Sequence, residues 1–418
     1  MNIYSEIDEC RVCKSGKLKK VFRIDDQYLS PTFVKANKGD LSKVKIPLTL
    51  ILCEKCNLLQ LRETVEPDVL YKNYFYRSSV SDTMRADLKA VVDDITEHVN
   101  LHNEDCVVDI GANDCTMVSY YSESLSRYAI EPAENINWEN VDPSIKIVND
   151  YFNEESILKC NLSKKVKVFS SCAMFYDLEE PNVFVQTIKK YLHEEGVFCI
   201  QLSYLPSMLR NLNFYDICNE HLEYYSLHTL NSLMLRNDLE IYHAKENDVN
   251  GGSVRVMIAH KESNKPKSTS YIDLINNEKS MQLDKFETYT NFYQKILSVK
   301  EKIVMAIHKE MEEGMVIGLG ASTKGNMLIQ TFGLTKKEIP YISERNPDKV
   351  GLRTLGTDIE LISESAAREI SPKMMLVLPW YFKKEIVIRE SDYINSGGKL
   401  LIPMPYPHII SIEGEKVL

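Results

Sequence analysis

Short apolar runs alternate with amphipathic stretches of helix length along most of the chain. Strand-like runs fall at Cys106–Gly111, Tyr128–Ile130, Lys146–Asn149, Val166–Ser170 and Val197–Leu202, and the segment from Ala86 to Val99 has helical periodicity. Strands separated by helices predict a doubly wound parallel sheet. The pattern then changes: DLEIYHAK and GSVRVMIAH, joined around Asn250-Gly251-Gly252, read as an antiparallel hairpin closing that sheet. A polar stretch at Lys261–Ser270 reads as a linker, and Tyr271–Glu313 as a long helical stretch with few breakers. A second α/β unit starts at Met315, with later strand-like runs in MMLVLPW and KLLIPMP. The division expected is a module over 1–70, a central α/β domain over 71–262 and a second Rossmann-like domain over 263–418.

Two turns in this pattern suit a bound nucleotide. In VVDIGANDCTM a strand runs into Gly111, then into Asn113-Asp114 and a helix-like segment. Glycine lets backbone N–H groups approach a ligand closely. The next apolar run ends in Glu131, about where an acid reads ribose hydroxyls in dinucleotide folds. Asp109 precedes the glycine, and Asp150 closes the following run, where an acid can face an adenine or simply be solvated. The glycines do not follow G-x-G-x-x-G, and the turn resembles motif I of class I S-adenosylmethionine-dependent methyltransferases. The second turn, MVIGLGASTKGNMLIQ, places Gly318, Gly320 and Gly325 around Ser322, Thr323 and Lys324 at a predicted helix start, without the order of a Walker A motif.

Composition narrows the partners. Sixty acidic against fifty basic residues give a formal net charge of −10, a field that repels nucleic-acid backbones. No run of 18 apolar residues occurs, and MNIYSEIDEC lacks the apolar core of a signal peptide, so no membrane association and a cytoplasmic location are expected. Of ten cysteines, four form two C-x-x-C pairs, Cys10/Cys13 and Cys53/Cys56. Two such pairs predict a Cys₄ zinc site, structural because protein fills all four positions. Between this module and the sheet, Tyr71, Tyr74, Tyr76 and Arg77 form either a packed aromatic face or a lid touching substrate.

The segment after the Val197 strand, SYLPSMLRNLNFYDICNEHLEYYSLHTL, lies at the carboxyl end of the sheet, where open α/β folds bind ligands. NEHLEYYSL is similar to the H-E-H-x-x-Y-S-L type motif of sugar C-methyltransferases, which methylate carbon 3 of nucleotide-linked 4-keto-deoxysugars. The two cysteine pairs, the D-I-G-x-N-D turn at Asp109–Asp114, the G-G-S-x-R stretch at Gly251–Arg255, GASTKGN and SERNPDKVG also resemble that family, in its order and over nearly the whole chain. The resemblance implies adenosylmethionine held by Asp109, Gly111, Asn113, Asp114, Glu131 and Asp150. It implies a nucleotide-linked sugar held in part by Ser322, Thr323, Lys324, Asn326 and Arg345, and catalysis by Glu220, His221, Tyr76 and Tyr224. His221 is the expected base, since an imidazole of ordinary pKa near 6.5 suits removal of an α-proton. The chain departs from the family at Cys218-Asn219, at Phe175-Tyr176-Asp177 and at Thr357–Leu361, which leaves the sugar open. An O- or N-methyltransferase acting on a capsule or natural-product precursor is the alternative, and a binding or scaffold protein without turnover a third reading. The oligomeric state is not readable.

Overall fold

The computed structural model describes residues 3–30, 32–35, 44–74 and 76–418. They form two compact units that are not consecutive blocks: one holds the residues up to 19 with 51–206 and 222–285, the other 20–50, 207–221 and 286–418.

The first unit is built on seven strands: β1 (Cys106–Ile110), β2 (Ser126–Ile130), β3 (Lys146–Val148), β4 (Val166–Cys172), β5 (Leu192–Ser203), β6 (Leu239–Asn247) and β7 (Ser253–His260). Their order is 3-2-1-4-5-7-6, with β7 antiparallel to both neighbours and the five preceding strands parallel. All five residues of β1 are buried, as a central parallel strand covered on both faces requires. Alternate residues feed opposite layers. Val107 packs with Leu88, Val91 and Ile95, whereas Val108 packs with Phe184, Ile188 and Leu230.

The helices on these faces are α1 (Asp82–His98), α2 (Pro181–Tyr191), α3 (Leu227–Arg236) and α4 (Thr269–Ser280). Helix α1 starts four residues before the sequence pattern places it, because Ser81 accepts a bond from the Met84 N–H and caps it. Arg255 of the G-G-S-x-R stretch ties this helix to the sheet, donating to Gln201 (2.9 Å), the Ala90 carbonyl (2.9 Å), Asp87 (3.1 Å) and Asp94. The long helical stretch expected over 271–313 is two helices, broken where Gln282 has φ of 52°. The first of them, α4, belongs with the first unit: Glu278 accepts from Tyr204 (2.7 Å) and from the His228 N–H (3.0 Å) at the start of α3.

The second unit centres on parallel strands β8 (Val316–Leu319), β9 (Tyr341–Glu344), β10 (Glu360–Ser363), β11 (Met374–Val377) and β12 (Lys399–Ile402), in the order 12-11-8-9-10. Counted from its own first strand this is 3-2-1-4-5, the order of the first unit's core. Beyond β12 lies the hairpin His408–Ser411/Gly414–Val417, and beyond β10 the short strands Arg353–Thr354 and Phe33–Val34. Helix α5 (Phe286–Met311) buries Tyr289, Phe292, Ile296, Val299, Ile303 and Ile307 at helical spacing. Helix α6 (Thr323–Phe332) follows β8. Among the described residues no helix is long and apolar enough to cross a membrane.

Candidate active site and metal centre

The cysteine pairs form two similar knuckles. Cys10 and Cys53 accept, at their carbonyls, the N–H groups of Lys14 (2.9 Å) and Asn57 (2.8 Å), the residues following each second cysteine, and both of those residues have positive φ. The four buried sulfurs lie within 4.8 Å of one another, with Cys10–Cys56 at 3.6 Å and Cys13–Cys53 at 3.4 Å. A tetrahedral zinc with Zn–S bonds of about 2.3 Å needs sulfurs about 3.8 Å apart, so the cluster fits that ion. Arg11, inside the first knuckle and 2% exposed, donates to Gln60, the Leu61 carbonyl and Thr64 (2.7 Å). The strand Leu59–Leu61 pairs with Glu223–Tyr224, so Tyr224 is buried beside this module.

At the end of β1, Gly111 has φ of +68° and donates to the Ile130 carbonyl at 2.9 Å. Glu131 brackets the turn: one carboxylate oxygen accepts from the Asn113 N–H (2.8 Å), the other from the Ala133 N–H (2.9 Å). Burial raises the Glu131 pKa and these two N–H groups work against it. Asp109 is buried and accepts from Ser170 at 3.0 Å, and burial pushes its carboxyl up to about 8. The helix expected after the turn is absent. Asn113 and Cys115 take left-handed φ, Asp114 binds the Thr116 hydroxyl (2.6 Å), and a single 3₁₀ turn follows at Val118–Tyr120. Asn113 and Asp114 instead hold the preceding segment, their side chains accepting from the N–H groups of Ser78 (3.0 Å) and Ser79 (2.9 Å). Tyr76 is tied in through its carbonyl, which accepts from Asn113 (3.1 Å), and the residue is 43% exposed. Asp150 is engaged by Lys159 at 2.7 Å, which lowers its pKa.

Glu220 and His221 belong to the second unit, Tyr76 and Tyr224 to the first. Glu220 is 4% exposed. His221 Nδ1 lies 2.8 Å from the Asp216 carbonyl oxygen. A carbonyl can only accept, so Nδ1 carries the proton and Nε2 is left in the basic form. Burial, then the nearby Lys324 charge, lowers the His221 pKa to about 3 rather than the ordinary value the sequence suggested. Lys324 itself is 2.7 Å from the buried Asp216 carboxylate.

The second turn repeats the acid bracket. Gly320 has φ of +81° and donates to the Ser343 carbonyl at 2.8 Å. Glu344, at the end of β9, accepts from the N–H groups of Ala321 (2.9 Å) and Asn346 (2.8 Å). Lys349 donates to the Ala321 carbonyl (3.2 Å), and its pKa is lowered by burial against the pull of Glu344. Ser322 caps α6 through the Gly325 N–H (3.0 Å), and Thr323 is partly exposed at the helix start. Asn326 is buried and binds the Ser30 carbonyl (2.7 Å), and Arg345 is exposed and paired with Glu385 (3.4 Å). Sequence reading missed Glu344 and Lys349. The signal was present, since an acid ends the apolar run twenty residues after Gly111 and another twenty-four after Gly320.

Comparison with known proteins finds three domain families along the chain. Residues 10–71 match the model of a zinc binding domain, 82–244 a methyltransferase domain and 248–405 the C-methyltransferase C-terminal domain. The C-methyltransferase NovU of Streptomyces niveus is 27% identical over 418 residues, spanning 99% of each chain. Among solved structures, an S-adenosylmethionine-dependent methyltransferase from Clostridium acetobutylicum matches at 11% identity and a TM-score of 0.34, covering 44% of this chain and 92% of its own. One from Aquifex aeolicus matches at 16% and 0.32, covering 43% and 94%. With zinc-site geometry at one end, the seven-stranded order 3-2-1-4-5-7-6 in the middle and matched domains over nearly its full length, the chain is an S-adenosylmethionine-dependent methyltransferase, similar from end to end to a C-methyltransferase.

Proposed function

We propose that the protein methylates a carbon beside the ketone of a nucleotide-linked keto-deoxysugar, with His221 as the base. Bound adenosylmethionine supplies an electrophilic methyl group. Glu131 accepts from its ribose hydroxyls with the lone pairs that the Asn113 and Ala133 N–H groups leave over, while the Gly111 turn admits the backbone to close range. At the second turn, Glu344 and Lys349, with Ser322 and Thr323 at the start of α6, offer acceptors for sugar hydroxyls and donors for phosphate, the two chemistries of a nucleotide.

The observation that carries the reading is the fixed tautomer of His221. Its Nε2 is a deprotonated acceptor, and the lowered pKa keeps it so throughout the neutral range, although a weaker base has less driving force. Carbon methylation needs such a group to remove the α-proton, whereas oxygen methylation asks less. Glu220 orients the sugar, and a phenol of Tyr76 or Tyr224 donates to the ketone oxygen as enolate charge develops. The test is exchange of the sugar α-proton with deuterated water in the absence of methyl donor. His221→Asn should abolish exchange and lower methyl transfer about a hundredfold to ten-thousandfold with adenosylmethionine affinity kept. Exchange at the wild-type rate in that variant removes His221 as the base, and a product methylated on oxygen removes the carbon chemistry.

A further inference from the structure

Within the second unit, Lys324 faces the segment that carries His221. Its Nζ lies 2.7 Å from Asp216 Oδ1, a carboxylate whose side chain is 2% exposed, and its ammonium sits over the rings of Tyr215 and Tyr381 at 5.4 and 5.5 Å. Asp216 holds His221 through its backbone carbonyl, at 2.8 Å from Nδ1. One residue therefore links two bonds: its carboxylate takes the lysine and its carbonyl fixes the imidazole tautomer. A buried carboxylate stripped of its cation is strongly destabilised, so the position of the 3₁₀ turn Phe214–Asp216, and with it that carbonyl, depends on the ion pair.

We infer that Lys324 is a positioning residue for the base, acting through Asp216, and not a contact to the substrate's nucleotide. This rests on the reading of His221 as the base. The lysine sits in the first turn of α6, so the helix that follows the Gly320 turn anchors the segment 214–221 as well as starting beside the nucleotide-type bracket of Glu344. The linkage is geometric: the Lys324 charge adds to burial in lowering the His221 pKa, which weakens the base, so what the lysine contributes is the position of the carbonyl that fixes Nδ1.

The test is a double-mutant cycle on α-proton exchange, read as the saturated rate and the half-saturating substrate concentration separately. Lys324→Met and Asp216→Asn should each lower the saturated rate about tenfold or more, with half-saturation within about twofold of wild type. The double variant should lose no more than either alone, because both break one linkage. Lys324→Arg, which keeps the charge, should recover much of the rate. Adenosylhomocysteine affinity and the circular dichroism spectrum, unchanged in all four proteins, show that the fold is kept. If Asp216→Asn does not fold, Lys324→Met with Lys324→Arg carries the test. A rise in half-saturation with the saturated rate intact makes Lys324 a nucleotide contact and overturns the inference, as do losses that add in the double variant. His221→Asn run alongside separates the two readings: if it abolishes exchange while Lys324→Met leaves the saturated rate untouched, only the positioning role fails, and if it exchanges normally the base assignment fails.

Discussion

The two units share a strand order and an acid-bracketed glycine turn, yet the residues just past the turn serve different ends. In the first, Glu131 takes the N–H of the second residue after Gly111; in the second, Glu344 takes that of the first residue after Gly320. The extra residue at the first turn goes with a loop in left-handed conformations, whose Asn113 and Asp114 hold Ser78 and Ser79. At the second turn Ser322 caps a regular helix at once, and the helix spends its lysine on Asp216. A common βα frame thus supplies an acid that brackets the turn in both places, while the loop or helix beyond it decides which neighbouring segment is held in order.

The largest expected difference between the units is zinc. The first carries four converging thiolates and should hold one metal per chain, whose loss can remove on the order of 10 kcal/mol from the module. Elemental analysis together with thermal unfolding before and after chelation measures this, and a metal-free protein with an unchanged melting transition refutes it. Next are the two bracketing acids. Glu131→Ala should weaken adenosylhomocysteine binding at least about tenfold and leave nucleoside diphosphates alone, with Glu344→Ala doing the reverse, since each removes charge-assisted hydrogen bonds worth roughly 1.5–3 kcal/mol. Calorimetry with both ligands on both variants reads the crossing, and a single variant that weakens both erases the distinction.

Smaller is the effect of adding a methyl at each glycine. A Cβ at Gly320 would lie 2.8 Å from the Pro379 ring, whereas at Gly111 it meets the flexible Met174 side chain at 2.9 Å. Both pay about 1–2 kcal/mol for left-handed φ. Gly320→Ala should cost more than Gly111→Ala in denaturant midpoint, because the proline ring cannot swing aside; equal costs contradict that account.

The smallest effect is a pH slope confined to the first unit. Asp109 occupies the position two before the glycine, where the second unit has Gly318. Its folded pKa of about 8 lies above the usual 3.8, so the folded state binds the proton more tightly. Stability from this group is full below the unfolded value and declines as pH rises through the folded one, by less than about 1.4 kcal/mol per pH unit for one proton. Asp109→Asn should flatten that decline between about pH 4 and 8 in denaturant titrations, and an unaltered slope means the carboxyl is ionised when folded.

Much of this was legible in the residues because it is local. C-x-x-C pairs, a strand ending in glycine with an acid closing the next strand, and a hairpin around Asn250-Gly251-Gly252 each leave a signature within a few dozen residues, and the zinc cluster, β1–β2 and β6–β7 arise from them. The irregular loop after Gly111 was not legible, since Asn113 and Cys115 in left-handed φ are chosen by contacts to Ser78 and Glu131 and not by propensity. Lys324 read as a phosphate ligand from its place at a helix start, and its partner Asp216 lies too far along the chain for any spacing rule. The His221 pKa likewise depends on burial, which no motif records.

The short strand Phe33–Val34 has a consequence for how the protein is made. It closes one edge of the second unit's sheet by pairing with Arg353–Thr354, so an N-terminal piece waits until more than three hundred further residues have left the ribosome. At about 5–20 residues per second that delay is on the order of 15–60 s. Asn326 and Gln330 of α6, which bind the backbone of Ser30 and Tyr28, impose the same wait. The first unit's sheet, β1 to β7, is translated by then, so synthesis itself sets an order in which the cofactor-binding sheet can form while the edge strand of its companion is still held in reserve.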